Sequence, residues 1–406
     1  MHRALLRDAA FMAAMLASST AAWAVPVSMA DVKPVPYIVV PSKSDLLLPN
    51  GKVNTSSPYL AGVGGTGTYS GVGTLVIKSD NSGAGEFLCT GSLISPTVIL
   101  TAAHCVKNPE IGHVDSLTFI TPNGRPYFGA SPAPNPGSIQ FATGGAIAVN
   151  PTWDPSSFGG DLALVKLDKP ITGTDIYQIY RGDPMGQQFT MVGTGTAGWG
   201  AVGADSQTGF AGGLFDLRKR VGNNIFEEYG VPFDQAFTNQ FGISVGLGGP
   251  DQGIVMFDFD SGLAQNDVFG QLCNLPEMAS LCVTQTGLPT EANTAPGDSG
   301  GPAFINGQIA AITSFGITGA ILSFDGQYIY CGGPNNIDPS VNVDTGSCTD
   351  SSFGEIGGDT NISYYQSFID AGLAGQLNFS LVPEPASLAL LLGGIAGLGV
   401  FRRRRR

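Results

Sequence analysis

The run Thr294-Ala295-Pro296-Gly297-Asp298-Ser299-Gly300-Gly301-Pro302 holds a serine between an aspartate and two glycines, with proline on either side. Glycine tolerates positive φ and lets a backbone approach a ligand closely. A serine on such a turn presents its hydroxyl while neighbouring N–H groups point into the same space. Acyl transfer needs that pairing of a nucleophile with donors for the oxyanion that forms beside it. Glycine-rich turns also occur with no chemistry attached, so Ser299 needs a base. His104 ends Leu100-Thr101-Ala102-Ala103-His104-Cys105, where small alanines leave its ring room to reach out of a strand. Neutral imidazole has a pKa of about 6.5 and can take a serine proton near neutrality. His113 stands in a polar loop without such framing, and His2 lies in a leader described below. The second ring nitrogen needs an acceptor that holds the tautomer. Asp161, which opens the apolar run Leu162 to Leu167, is the candidate, whereas Asp168 sits in the plain turn Asp-Lys-Pro. The structural alternatives are a strand-side histidine and a strand-capping aspartate.

Those residues need a frame. Two β-rich runs, Ser92 to Ile94 and Thr97 to Leu100, flank a Ser-Pro turn just before His104. A Cys89–Cys105 disulfide would close this loop and hold His104, worth roughly 3 kcal/mol in the chain-entropy model. The chain of 406 residues has 58 glycines and only 13% charged residues. Short runs rich in Val, Ile, Thr and Phe alternate with Gly, Asn, Asp and Pro clusters, which predicts an all-β fold. There is no internal repeat and no long amphipathic helix. Gly71 to Lys78 reads as a strand, the ordered body is expected to start near Gly62, and Ile362 to Leu373 has the spacing of a short closing helix.

Both termini carry processing features. Arg3 and Arg7, the apolar Ala9 to Leu16 and the small-x-small Ala22-Trp23-Ala24 fit a secretory leader, residues 1–24. Export permits disulfides, and all six cysteines lie in the exported part, none at CxxC spacing. No metal or other cofactor is expected. Near the C-terminus, Val382-Pro383-Glu384-Pro385 precedes an apolar run from Ala386 to Phe401 and then Arg402 to Arg406. This resembles the PEP-CTERM sorting signal of Gram-negative bacteria, here residues 381–406. The resemblance implies an exosortase-type partner, a transmembrane helix that anchors the chain transiently in the inner membrane, and delivery to the cell surface or extracellular matrix. The formal net charge is −13, and more negative still once the arginine-rich ends leave. Such a surface repels nucleic acid and anionic membranes.

"LTAAHC", "DLAL" and "GDSGGP", in the order His, Asp, Ser, resemble the trypsin-like (chymotrypsin-fold) serine peptidases over roughly Gly62 to Leu377. Subtilisins and α/β-hydrolases use other orders. The resemblance implies two antiparallel β-barrels of the chymotrypsin type with a short C-terminal helix. It also implies a secreted serine endopeptidase that acts on protein or peptide through an acyl-enzyme. By motif match His104 is the general base, Asp161 orients it and Ser299 is the nucleophile, with the N–H groups of Gly297 and Ser299 as oxyanion hole. Ala197-Gly198-Trp199-Gly200 resembles the opening of the second barrel. Ser314-Phe315-Gly316 resembles the strand that pairs with substrate backbone. The peptidase domain is placed at 60–380, after a pro-segment or flexible extension at 25–59. A catalytically silent homologue that binds protein or matrix is the alternative.

The departures are specific. The span from Gly200 to Glu291 is longer than the family needs. Cys273, Cys282, Cys331 and Cys348 allow three connectivities, of which the local pairs Cys273–Cys282 and Cys331–Cys348 are favoured. Where trypsin holds its specificity aspartate this chain has Asn293, which implies a preference for uncharged side chains, although Glu291 is close by. In the family a freshly cut N-terminus pairs with the aspartate before the nucleophile, here Asp298. No Arg-Ile-Val-Gly-Gly site exists, and Val63 and Val53 are the nearest candidates for that terminus. The acidic stretch Asp338 to Asp359 reads as a solvated loop, not a Ca²⁺ site.

Overall fold

The structure is a computed structural model that describes residues 25–27 and 38–381, apart from 51, 53, 64–65, 81–85, 110, 122–139, 197, 205–217, 324–327, 334 and 342–347. The leader, the C-terminal apolar run and Ala197 lie outside the described residues.

The first sheet contains β1 (Val25–Val27), β2 (Val72–Ser79), β3 (Glu86–Ser95), β4 (Val98–Thr101), β5 (Val114–Thr121), β6 (Gln140–Val149), β7 (Ala163–Leu167) and β15 (Ser380–Leu381). Its path β3-β2-β5-β6-β7-β4 returns from β4 to β3, so six antiparallel strands close a barrel. Closure removes free edges, and β1 and β15 add to β3 and β6 from outside that ring. Val72, Leu75, Leu93, Ile99, Leu117, Phe119, Leu164 and Val165 form the interior. The second sheet, β10-β11-β14-β13-β12-β8-β9, is built from β8 (Gln188–Gly193), β9 (Arg220–Ile225), β10 (Glu228–Tyr229), β11 (Ile254–Asp258), β12 (Pro302–Ile305), β13 (Gln308–Thr318) and β14 (Glu355–Asn361). Among the described residues its end strands β10 and β9 do not pair with each other, which makes it a half-barrel. The expectation of two barrels of the chymotrypsin type thus becomes one closed barrel and one half-barrel.

The closing helix lies at Ile362–Leu373, as the spacing predicts. Asn361 caps it by accepting from the Ser363 N–H. Its buried face, Ile362, Tyr365, Phe368 and Ile369, packs into the core of the first barrel, so the end of the second sheet is tied back to the first. A further helix, Gly230–Phe241, ends on Gly242 at φ 76°, where the Gly242 N–H bonds to Thr238 O. Such a left-handed residue commonly closes a helix. Phe233, Phe237 and Phe241 recur at one-turn spacing, with successive ring centroids 6.1 and 4.7 Å apart. Within the long 201–290 span, this helix covers Phe269, Leu272 and Met278.

All three disulfides form as the spacing predicts: Cys89–Cys105, Cys273–Cys282 and Cys331–Cys348. The body starts earlier than Gly62. Ile38, Val39 and Val40 are fully buried, and Leu46 and Tyr59 join the core of the second sheet. Among the described residues no helix is long and apolar enough to cross a membrane.

Candidate active site

The register of one strand pair brings the histidine and the aspartate together. β4 and β7 run antiparallel with Thr101 opposite Ala163. The chain leaving β4 reaches His104 three residues later, and Asp161 stands two residues before β7 begins. His104 Nδ1 lies 2.6 Å from Asp161 Oδ2, and the His104 backbone N–H donates to Asp161 Oδ1 at 2.8 Å. Asp161 is fully buried and His104 nearly so. The Asp161 carboxylate therefore grips both the ring and the backbone of one residue, which fixes the imidazole's direction and leaves Nε2 as the outward nitrogen.

A third group on this carboxylate was not foreseen. β13 shifts register between Thr313 and Phe315, and such a bulge re-aims the side chain at the irregularity. Here that residue is Ser314, whose hydroxyl donates to Asp161 Oδ2 at 2.5 Å. The sequence places Ser314 in a substrate-pairing strand, and the structure gives its side chain to the aspartate. Phe315 is buried against Phe158, ring centroids 4.5 Å apart, and Gly316 pairs with Gly357 of β14.

Ser299 is fully buried in the loop ahead of β12. Its carbonyl accepts from the Thr90 N–H at 2.8 Å, while Thr90 Oγ1 donates to Gly297 O at 3.0 Å. Thr90 belongs to β3, so the first barrel holds the serine loop by backbone and side chain together. Cys105 Sγ lies 3.6 Å from Ser299 O and 3.9 Å from His104 Nε2. One sulfur atom of the Cys89–Cys105 bridge is thus in contact with both segments.

Two glycines permit this approach. Gly297 takes φ 96°, and a Cβ there would meet Gly195 Cα at 2.8 Å. Gly300 takes φ 80°, and a Cβ would meet Thr101 Oγ1 at 2.1 Å and Thr90 O at 2.4 Å. A side chain at residue 300 would push the serine loop away from the strand that delivers His104.

Asp298 faces the other way, into the second sheet. It accepts from the Gly195 N–H at 2.8 Å and the Ala295 N–H at 2.9 Å. Burial pushes its carboxyl up to about 6, against the pull of those N–H groups, the Arg220 charge and a bond from the Ile38 N–H. Ile38, at φ 43°, is held there by its neighbours. Val39 and Asn293 exchange N–H···O bonds at 3.1 Å, and the Val40 N–H bonds to Gly198 O at 3.1 Å. Of the two sequence candidates for that terminus, Val63 donates its N–H to Leu60 O, and Val53 is outside the described residues. The Asn293 side chain is buried, with its oxygen on the Thr294 N–H.

The stretch expected to be a solvated loop is also corrected. Asp338, Asp350, Glu355 and Asp359 are all buried. Thr318, Ser340 and Ser352 supply hydroxyl and N–H donors to Asp338 and Asp350, which is how the acids are accommodated. Asp359 has no such help: neither carboxylate oxygen has a hydrogen-bond partner among the described residues. Burial alone pushes its carboxyl up to about 8. The folded chain then keeps this proton to about 8, whereas the unfolded chain releases it near 3.8. The resulting stability is complete below pH ~4 and is lost as pH rises through about 8. Asp359→Asn, neutral throughout, is expected to melt several degrees above the parent at pH 9 and level with it at pH 4. Scanning calorimetry at both pH values checks this.

Residues 63–210 match the family model Trypsin, and residues 381–406 match the PEP-CTERM protein-sorting motif. The chain is 32% identical over 146 residues to phenoloxidase-activating factor 3 of Holotrichia diomphalia, covering 33% of this chain and 40% of that protein. It is 28% identical over 120 residues to chymotrypsin-like elastase family member 3B of Homo sapiens, covering 29% and 41%. It therefore spans about two fifths of the length of these curated relatives. A solved structure of neuropsin, a serine protease expressed in the limbic system of mouse brain, is similar at TM-score 0.43 and 17% identity, over 74% of this chain and 93% of that one. Over residues 63–210 the chain is thus similar to the trypsin family, alongside the motif order and the His104–Asp161 pair, and residues 381–406 match the PEP-CTERM protein-sorting motif.

Proposed function

We propose that this protein is an active, exported serine endopeptidase that cleaves peptide bonds through an acyl-enzyme. The observation that carries the reading is the buried Asp161 carboxylate, which takes His104 by Nδ1 and by its backbone N–H and takes Ser314 by its hydroxyl. In this reading His104 Nε2 removes the Ser299 proton as the serine oxygen attacks the peptide carbonyl. The N–H groups of Gly297 and Ser299 receive the oxyanion. His104 then gives the proton to the leaving amine, and water repeats the cycle to release the acid. The Asp161 carboxylate, on Nδ1, stabilises the imidazolium.

Substrate is expected to lie along the edge of β13. From Ser314 onward β13 pairs with β14 on one side, whereas β12 pairs only as far as Ile312. An unpaired strand edge binds extended peptide through main-chain hydrogen bonds. The preference is for uncharged side chains, because Asn293 offers an amide. Glu291 has one oxygen on the Asp260 N–H and the other on the Leu288 N–H, which supports that preference.

The PEP-CTERM motif implies an exported surface protein sorted by an exosortase. We place the chain transiently in the inner membrane of a Gram-negative bacterium, then at the surface or in the matrix after cleavage. A fluorophosphonate probe separates the peptidase from the silent homologue. Labelling of the folded, processed protein at Ser299, absent in Ser299→Ala, is expected. No labelling would favour a module that binds protein or matrix.

A further inference from the structure

A second cluster of titratable groups lies away from the triad, where β11 ends. Asp258, Asp260 and Asp267 each offer a carboxylate oxygen within 4.8 Å of the other two, and all three residues are buried. Their sequence, Asp258-Phe259-Asp260-Ser261-Gly262 with Asp267 further on, places two carboxylates on alternate residues and a third across a tight loop. Part of this charge is met by N–H groups. Asp258 Oδ2 accepts from Val268 and Phe269 at 2.6 and 3.1 Å, and Asp267 Oδ1 accepts from Gly270 at 2.5 Å. Asp260 is different. It is only 5% exposed, and its Oδ1 has no hydrogen-bond partner among the described residues. A carboxylate oxygen out of water with no donor is costly, and two more carboxylates beside it raise the cost. A positive charge among the three would remove both penalties.

We propose that Asp258, Asp260 and Asp267 form a binding site for a single divalent cation, Ca²⁺ in preference to Mg²⁺. The donor set is all hard oxygen. Ca²⁺ bonds oxygen at about 2.3–2.6 Å, so two ligands on opposite sides of it stand about 4.6–5.2 Å apart. Mg²⁺, at about 2.0–2.1 Å, requires all ligands within about 4.2 Å. The three oxygens lie within 4.8 Å of one another, a spread that a Ca²⁺ ion spans without any of them having to move. Calcium accepts six to eight oxygens in flexible geometry, so loop carbonyls and water can complete the shell. The turn Gly262 to Gln265 is exposed and gives the ion a way in from solvent.

The site is coupled to the segment that leads to the serine. The Asp260 N–H bonds to Glu291 Oε1 at 2.6 Å, and Asn224 Nδ2 bridges Asp258 O, at 2.6 Å, to Ala292 O, at 3.3 Å. Asn293 follows directly. A cation that rigidifies the loop 259–267 therefore also braces the wall on which the expected specificity residue stands.

The test uses the processed chain carrying Ser299→Ala, so that neither autolysis nor the peptidase reading enters the result. After chelator treatment the protein is titrated with CaCl2 and, separately, MgCl2 by calorimetry, and its Tm is followed in both salts. One Ca²⁺ per chain with a rise in Tm, and at least tenfold weaker Mg²⁺ binding, is the expected result. Asp260→Asn and Asp267→Asn are each expected to weaken Ca²⁺ binding at least tenfold. In chelator Asp260→Asn should melt no lower than the parent, because it removes a repelling charge. Asp338→Asn, in the separate acidic group, should bind as the parent does. Absence of both heat and Tm shift in the parent chain overturns the proposal. So does calcium binding that survives Asp260→Asn and Asp267→Asn undiminished, or that Asp338→Asn abolishes. Should one variant fail to fold, the parent titration and the other variant still decide.

Discussion

Ser299→Ala is expected to lower kcat/KM for peptide hydrolysis by about 10⁴–10⁶-fold, with Tm almost unchanged. His104→Ala should fall in the same range, and the double variant should lose little more than either single one. Groups that act as a unit are strongly non-additive, because removing one leaves the others without a task. Asp161→Asn keeps the shape of the side chain but replaces an acceptor with an amide that can also donate. The ring would then take the wrong tautomer, at a cost of about 10⁴-fold. Ser314→Ala separates orientation from chemistry. It removes one donor from Asp161 Oδ2 and leaves both His104 contacts in place. A hydrogen bond to a charged group contributes about 1.5–3 kcal/mol, so a loss of roughly 10–100-fold is expected, in kcat more than in KM. Steady-state kinetics on one peptide ester and one peptide amide check the series. An unimpaired Ser299→Ala enzyme would end the peptidase reading.

The triad candidates were legible because each stands in a short, distinctive local frame. Ser299 lies among glycines that only a tight turn requires, and His104 lies between alanines and a cysteine. The Cys89–Cys105 bridge followed from the same stretch. The role of Ser314 was not legible, since a one-residue bulge in β13 decides which way its hydroxyl points, and periodicity cannot register that. The helix Gly230–Phe241 left a signal that an all-β expectation overrode: three phenylalanines at four-residue spacing. The acidic group of Asp258, Asp260, Asp267 and Glu291 exists only after β11 and the segment before Ser299 come together. Burial of Asp338 depends likewise on a partner, Thr318, twenty residues away along the chain. Composition reads such a stretch as solvated because it cannot count the donors that the fold will supply.

Cleavage between Tyr37 and Ile38 is expected to raise kcat/KM by about 10²–10⁴-fold over the longer chain. The Ile38 N–H already bonds to Asp298, beside a carboxyl that burial holds at about 6. As an amide, that nitrogen brings only a dipole to a buried acid. As a free amino terminus it would bring a full positive charge at the same place, and the carboxyl would ionise at a lower pH. Breaking one half of a buried ion pair costs about 3–5 kcal/mol, which converts to the stated range if the serine loop depends on that contact. The dependence is built into the chain, because Asp298 is the residue before Ser299 and its carboxylate also holds the Gly195 and Ala295 N–H groups. Absence of a basic residue before Ile38 hid this site, and it means that a trypsin-like cut is not the one required. N-terminal sequencing of the active species should return Ile-Val-Val-Pro. Asp298→Asn should remove the difference between the long and short chains, leaving both at the lower activity. A chain starting at Ile38 that is no more active than the longer one would show that Asp298 is served by Arg220 and the surrounding N–H groups alone.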